Sequence, residues 1–299
     1  MSNLTTKITL IGLGKMGSAL AGRILQGNFP LTVYNRTASK MEPLIAAGAH
    51  GAPTLKEAVH DADIIVTCLL DDNAVIETVN GAEGFLNALK PGAIHVGTST
   101  ILPATSKALT QLHADQQSIY LAANVLGVPK VAERGELTTF VAGDPAAIGI
   151  CLPLFNCYSR NIVSVGSEPY QANVMKICSN YLLATAIEAF GELYTFAEKS
   201  GLKLDGLNKF FHSVYAHPAY QLYADKIRER SFDDVNFDLK GGAKDLNLFQ
   251  KAFKEVQVIP DIANVIKNKF DIAVARGMEN KDWSAITEIT RMQAGLEED

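Results

Sequence analysis

The stretch that most constrains this chain lies near its start. The apolar, β-rich run Lys7-Ile8-Thr9-Leu10-Ile11 leads without a gap into Gly12-Leu13-Gly14-Lys15-Met16-Gly17, after which Ser18-Ala19-Leu20-Ala21 opens a helix. Strand, tight turn and helix in that order form a dinucleotide site: Gly12 permits the turn, Gly14 lets backbone approach a pyrophosphate, and Gly17 lets helix and strand pack closely. The helix N-terminus then aims N–H groups and the positive end of its dipole at the phosphates. A glycine turn without a ligand is the competing reading. Against it, Leu31-Thr32-Val33-Tyr34 supplies the second strand of a βαβ unit at the expected distance, ending in Asn35-Arg36-Thr37.

The end of that second strand selects the nucleotide. An NAD site usually carries a carboxylate there for the ribose 2′-OH, which would repel a 2′-phosphate. No Asp or Glu occurs between Leu31 and Lys40. Arg36 instead offers a charged fork to a phosphate, and Asn35 and Thr37 add donors, so NADP is expected over NAD. The plainer reading of Arg36 is a solvated surface arginine.

A chain of 299 residues has room for two domains and a sizeable core. Its net charge of −5 argues against a nucleic-acid partner. No apolar run is long enough to span a bilayer, and residues 1–6 are polar without the apolar core of an export signal, so the cytoplasm is expected. Cys68, Cys151, Cys157 and Cys178 form no Cys-x-x-Cys pair and the histidines are scattered. Free, buried thiols and no metal are expected.

Along the chain, residues 39–47 read as a helix stopped by Gly48, and residues 54–60 as a helix capped by Thr54. The unbroken apolar run at 63–70 reads as a strand buried on both faces, as in a parallel sheet. Its carboxyl end, including Leu69 and Leu70, is expected beside the cofactor. A helix over 74–79 and a turn at Lys90-Pro91-Gly92 precede a strand at 93–96, which delivers Gly97-Thr98-Ser99-Thr100-Ile101-Leu102-Pro103 to the same edge. Ser99 and Thr100 can hydrogen-bond a substrate carboxylate or the nicotinamide carboxamide; Thr100 also reads as the N-cap of a helix starting near Pro103. A strand at 118–122, a loop at 124–129, and strands within 135–143 and 162–166 complete a doubly wound α/β domain over residues 1–166.

The pattern changes at Ser167. Residues 167–200 hold no glycine but Gly191 and no proline but Pro169, which fits one helix of roughly 50 Å. Helices are expected over 204–214, 220–230, 238–256, 262–276 and 282–292, giving an all-α region from 167 to 299 behind a long interdomain helix. On that long helix Lys176 stands four positions before Asn180, so the two share a face. A desolvated lysine titrates near working pH and suits general acid/base work; the competing reading is a snorkelling lysine.

The combination of Gly12-Leu13-Gly14-Lys15-Met16-Gly17, Tyr34-Asn35-Arg36-Thr37, Ser99-Thr100-Ile101-Leu102-Pro103, Lys176 with Asn180, and Phe237-Asp238-Leu239 before Lys244-Asp245-Leu246 resembles the β-hydroxyacid dehydrogenases. That family includes 3-hydroxyisobutyrate dehydrogenase, tartronate semialdehyde reductase and glyoxylate/succinic semialdehyde reductase. The resemblance covers nearly the whole chain. It implies a Rossmann domain, a long interdomain helix, and a helical domain joining subunits into homodimers or homotetramers. It further implies Lys176 as catalytic acid/base, Asn180 and Ser99 at the substrate, Thr100 at the cofactor, and Lys244 near the nicotinamide half. Hydride would pass between nicotinamide C4 and the carbonyl carbon of a short carbonyl or hydroxy acid.

Three departures bear on the substrate. Where family members have Asp-Ala-Pro-Val-Ser-Gly-Gly, this chain has Ala122-Ala123-Asn124-Val125-Leu126-Gly127-Val128, which keeps Gly127 but makes the cradle bulkier and more apolar. Tyr170 and Ala172 stand where glycines are usual, and Gly97 replaces an aspartate. An imine reductase on the same fold, with its more apolar pocket, and a non-catalytic NADP-binding protein are the alternatives.

Overall fold

A computed structural model describes residues 5–296, which divide into two compact units, one ending at Lys176 and the other beginning at Ile177. The first is built on eight strands: β1 (Ile8–Ile11), β2 (Leu31–Tyr34), β3 (His50–Gly51), β4 (Ile64–Thr67), β5 (Ile94–Gly97), β6 (Ile119–Leu126), β7 (Leu137–Ala142) and β8 (Ser159–Gly166). Between them run α1 (Lys15–Gln26), α2 (Glu42–Ala46), α3 (Leu55–Val59), α4 (Asp72–Asn80), α5 (Pro103–Asp115), α6 (Pro129–Glu133) and α7 (Pro145–Tyr158). The strand order is β3-β2-β1-β4-β5-β6-β7-β8, parallel throughout except where β7 runs against β6.

Alternation along the strands covers both faces of the sheet. Ile8, Leu10, Ile64, Val66, Ile94, Val96, Leu121 and Ala123 pack with Leu20 and Ile24 of α1 and Leu154 and Phe155 of α7. Ile11, Ile65, Tyr120 and Ala122 point the other way, against Val59 of α3, Val75 and Val79 of α4 and Leu109 of α5. The sheet is therefore doubly wound, as its sequence implied.

Several boundaries differ from the expectations, each for a local reason. Residues 39–47 form a single 3-10 turn, Ala38–Lys40, and then the five-residue α2, with Pro43 in its first turn. β4 stops at Thr67, so Leu69 and Leu70 leave the sheet; Asp71 caps α4 by accepting from Ala74 N. β6 continues to Leu126 because β7 pairs with it antiparallel from Ala122 to Leu126. The first half of the expected loop at 124–129 is therefore strand. α5 starts at Pro103, but Leu102, not Thr100, is its N-cap residue, and no side chain caps it. The N–H of Leu102 donates instead to Asp72 Oδ1 at 2.9 Å.

The long helix, α8, runs Tyr170–Lys199, and the division between the two units falls inside it. The second unit continues with α9 (Leu204–Val214), α10 (Pro218–Glu229), α11 (Leu239–Glu255), α12 (Asp261–Ala275) and α13 (Thr287–Gln293). The helix expected over 282–292 is split, because Asp282 caps a 3-10 turn, Trp283–Ile286, ahead of α13. Cys178 is exposed, contrary to the expectation of four buried thiols; Cys68 is half-buried and Cys151 and Cys157 are buried.

Candidate functional site

The turn between β1 and α1 is shaped by backbone. Gly12 has φ of +98°, and a Cβ there would collide with the carbonyl oxygen of Cys68; a Cβ on Gly17 would collide with that of Gly12. Gly14, at the helix N-cap, faces open space, and no side chain caps α1. A pyrophosphate would meet uncapped N–H groups there without obstruction, so these residues fit the nucleotide that the motif implies. Asn35 Oδ1 accepts from Leu13 N at 2.9 Å, and its Nδ2 donates to Thr37 O at 3.0 Å, tying the end of β2 to the glycine turn. Arg36 and Thr37 are exposed just beyond, and the Arg36 guanidinium makes no hydrogen bond or ion pair among the described residues. Lys15 is exposed, while Met16 packs against the core.

At the carboxyl ends of β4 and β5 the chain is pinned residue by residue. Thr98 donates from its N–H and its hydroxyl to Thr67 O, at 3.0 and 2.8 Å. Leu69 N donates to Ser99 Oγ at 2.8 Å, which leaves the Ser99 hydroxyl hydrogen to be given to a ligand oxygen. Asn124 Nδ2 donates to Ser99 O at 2.8 Å. Thr100 is half-buried and Leu70 is 66% exposed. Gly127 follows β6 with φ of +136°, where Leu137 leaves a side chain little room. Asn124, absent from the sequence-based site, stands where the family pattern has proline; a lone polar residue in an apolar run was its one signal.

Beneath Thr67 lies a chain of buried polar groups. Thr67 Oγ1 meets His95 Nε2 at 2.9 Å, His95 Nδ1 meets His113 Nε2 at 2.9 Å, and His113 Nδ1 meets Ser118 Oγ at 2.8 Å. The Ser118 hydroxyl donates to His113 O, so it accepts from His113 Nδ1–H. His113 Nε2 must then accept from His95 Nδ1–H, and His95 Nε2 from Thr67; the network assigns both tautomers with both rings neutral. Burial pushes both imidazoles down, His113 to about 4. The hydroxyl of Tyr120, stacked on His113, fills the space that a side chain at Gly97 would need. The family's aspartate has no room in this chain.

On α8, Tyr170 carries the Lys107 ammonium over its ring, 4.4 Å from the centroid, where a glycine is usual. Lys176 is half-buried, and Asn180, 8% exposed, follows one turn later. Asn180 Nδ2 donates to Asp245 Oδ2 at 3.0 Å, and Lys244 Nζ pairs with Asp245 Oδ1 at 2.7 Å. α11 places that pair by starting at Asp238, whose carboxylate caps Gly241 N at 2.6 Å. A carboxylate only accepts, so the amide nitrogen of Asn180 must face Asp245 and its Oδ1 is turned away from it. The sequence motif contains Asp245, but only the structure reveals its bond to a residue 65 positions earlier.

Among the described residues, no group of three or more His, Cys, Asp or Glu is placed to hold a metal ion, and no helix is long and apolar enough to cross a membrane.

Residues 7–166 match the family profile described as the NAD binding domain of 6-phosphogluconate dehydrogenase. Residues 171–290 match the one described as NAD-binding of NADP-dependent 3-hydroxyisobutyrate dehydrogenase. The chain is 36% identical to the uncharacterized oxidoreductase YfjR of Bacillus subtilis, over 94% of this chain and 98% of that protein. It is 27% identical to the NAD-dependent L-serine dehydrogenase of Pseudomonas aeruginosa, over 95% and 97% of the two chains. Among solved structures, Psf3 in complex with NADP+ and 2-OPP superposes with a TM-score of 0.85 at 28% identity, over 95% and 99% of the two chains. The chain therefore belongs to the β-hydroxyacid dehydrogenase family and is an NAD(P)-dependent oxidoreductase acting on CH–OH groups.

Proposed function

We propose that the chain interconverts a short aldehyde acid and the corresponding hydroxy acid with NADP, using Lys176 as general acid/base. The observation that carries this reading is the half-buried Lys176 one helical turn before an Asn180 whose amide is oriented by the buried carboxylate of Asp245. Bound NADPH supplies hydride from nicotinamide C4. In the reducing direction Lys176 Nζ gives its proton to the substrate oxygen, and Ser99, Gly127 and Asn180 bind the substrate. Gly12, Leu13, Gly14, Lys15, Met16 and Gly17 hold the pyrophosphate, while Leu69, Leu70, Thr100 and Lys244 flank the nicotinamide half.

The preference for NADP rests on Arg36, exposed at the end of β2 with Asn35 and Thr37 on either side and no carboxylate from Leu31 to Lys40. Residues 1–166 then serve as the nucleotide domain and 167–299 as the substrate and dimerisation domain. Exposed Leu182, Leu193 and Phe196 on α8 support assembly into a homodimer or homotetramer. The test is oxidation of NADPH and NADH in the presence of glyoxylate, succinic semialdehyde, tartronate semialdehyde and a cyclic imine. Turnover of an aldehyde, faster with NADPH, is expected. Turnover of the imine alone, or tight NADPH binding with no turnover, would overturn the reading.

A further inference from the structure

Asn124, Asn173 and Asn180 all bury their side chains, and two of the three have a partner for the amide nitrogen. Asn180 donates to Asp245, and Asn124 donates to the carbonyl of Ser99. Asn173 is different: it is 1% exposed, and neither its Nδ2 nor its Oδ1 has a hydrogen-bond partner. An amide idle at both ends costs stability that leucine, with the same number and branching of heavy atoms, would not, and such groups in native proteins call for an explanation beyond packing. Position supplies one. Asn173 lies three residues before Lys176 on α8, and residues so spaced are neighbours on one helix face. Val174 and Met175, between them, are 41% and 39% exposed, whereas Ala172 and Ile177 are buried, so Asn173 and Lys176 share the inner side of the helix.

We propose that Asn173 is a positioning residue for Lys176, whose amide takes up its hydrogen bonds when the substrate is bound. An amide suits a lysine that changes protonation state: its Oδ1 accepts from the ammonium before transfer, and its Nδ2–H donates to the neutral amine afterwards. The proton passes from Lys176 Nζ to the substrate oxygen and is replaced from water; Asn173 aims the lysine and keeps its own protons. Catalytic hydrogen bonds often tighten only in the loaded complex, which explains an idle amide in the free protein. The proposal rests on the assignment of Lys176 as proton donor.

The test compares Asn173→Leu, Asn173→Ser and Lys176→Ala in thermal melts, NADPH binding and the pH profile of kcat with the aldehyde turned over best. Asn173→Leu is expected to melt a few degrees higher than the parent yet lose about tenfold or more in kcat. Its NADPH affinity stays the same and the pH limb that belongs to Lys176 moves, while Asn173→Ser, which keeps a donor and an acceptor, recovers part of the loss. An Asn173→Leu variant with kcat within about twofold of the parent overturns the proposal. So does one that melts lower or fails to fold, because the amide then has a structural task. An active Lys176→Ala would instead remove the assignment of the lysine, whereas an inactive Lys176→Ala beside an active Asn173→Leu would sink the role of Asn173 alone.

Discussion

The glycine turn after β1 and the polar cluster joining α8 to α11 are built on opposite principles. In the turn, main chain does the work: Gly12 and Gly17 are fixed by collisions with carbonyl oxygens, and Gly14 stays open for a ligand. In the cluster, side chains do it: Asn180 is oriented by a carboxylate from another helix, and that carboxylate is matched by Lys244. A site made of backbone leaves its mark in sequence as glycines at fixed spacing. A site made of side chains is dispersed, and its members look ordinary until the fold joins them.

Substitutions can break this contrast from either end. Gly12→Ala forces a side chain onto a φ of +98° and into Cys68 O, and is expected to cost at least about 3 kcal/mol of stability together with NADPH binding; calorimetry and fluorescence titration read the two losses. Asp245→Asn should leave the nucleotide turn untouched. Its new amide can misorient Asn180, so kcat is expected to fall about 100-fold with NADPH affinity within about threefold of the parent; equal losses in both would show that the two regions are not separable. Arg36→Ala should weaken NADPH by about 2 kcal/mol and NADH hardly at all, and equal weakening of both would remove the 2′-phosphate from this arginine.

The last effect concerns the buried histidines and emerges only at acid pH. Both have folded pKa values below the free value, so the unfolded chain binds more protons as pH falls, and the folded state loses stability from about pH 6.5. For His113 the loss continues down to about pH 4, at no more than about 1.4 kcal/mol per pH unit. Above pH 7.5 the term vanishes. His113→Gln should therefore flatten the fall in melting temperature below pH 6.5 relative to the parent. A fall just as steep in the variant would place the acid sensitivity elsewhere.

Much of the first unit was legible because the βαβ pattern, the apolar strands and the glycines are local signals. What escaped depended on partners distant in sequence. β6 reaches Leu126 only because β7 returns against it. Thr100 yields its capping role because Asp72 takes the amide of Leu102. The apolar neighbours of Cys178 suggested burial, but its place on α8 turns it outward. Within the proposed site, Lys176 and Ser99 rest on motifs. Asn124 could not, because its bond spans 25 residues, and neither could Asp245 as the group that orients Asn180.

The role of Lys176 is tested most directly by Lys176→Ala, followed through both NADPH binding and steady-state turnover of the preferred aldehyde. Parental affinity for NADPH with kcat/KM reduced about 1000-fold is expected, as when a positioned general acid is removed. A variant that keeps turnover within tenfold of the parent would contradict that role and move the proton donor to another group.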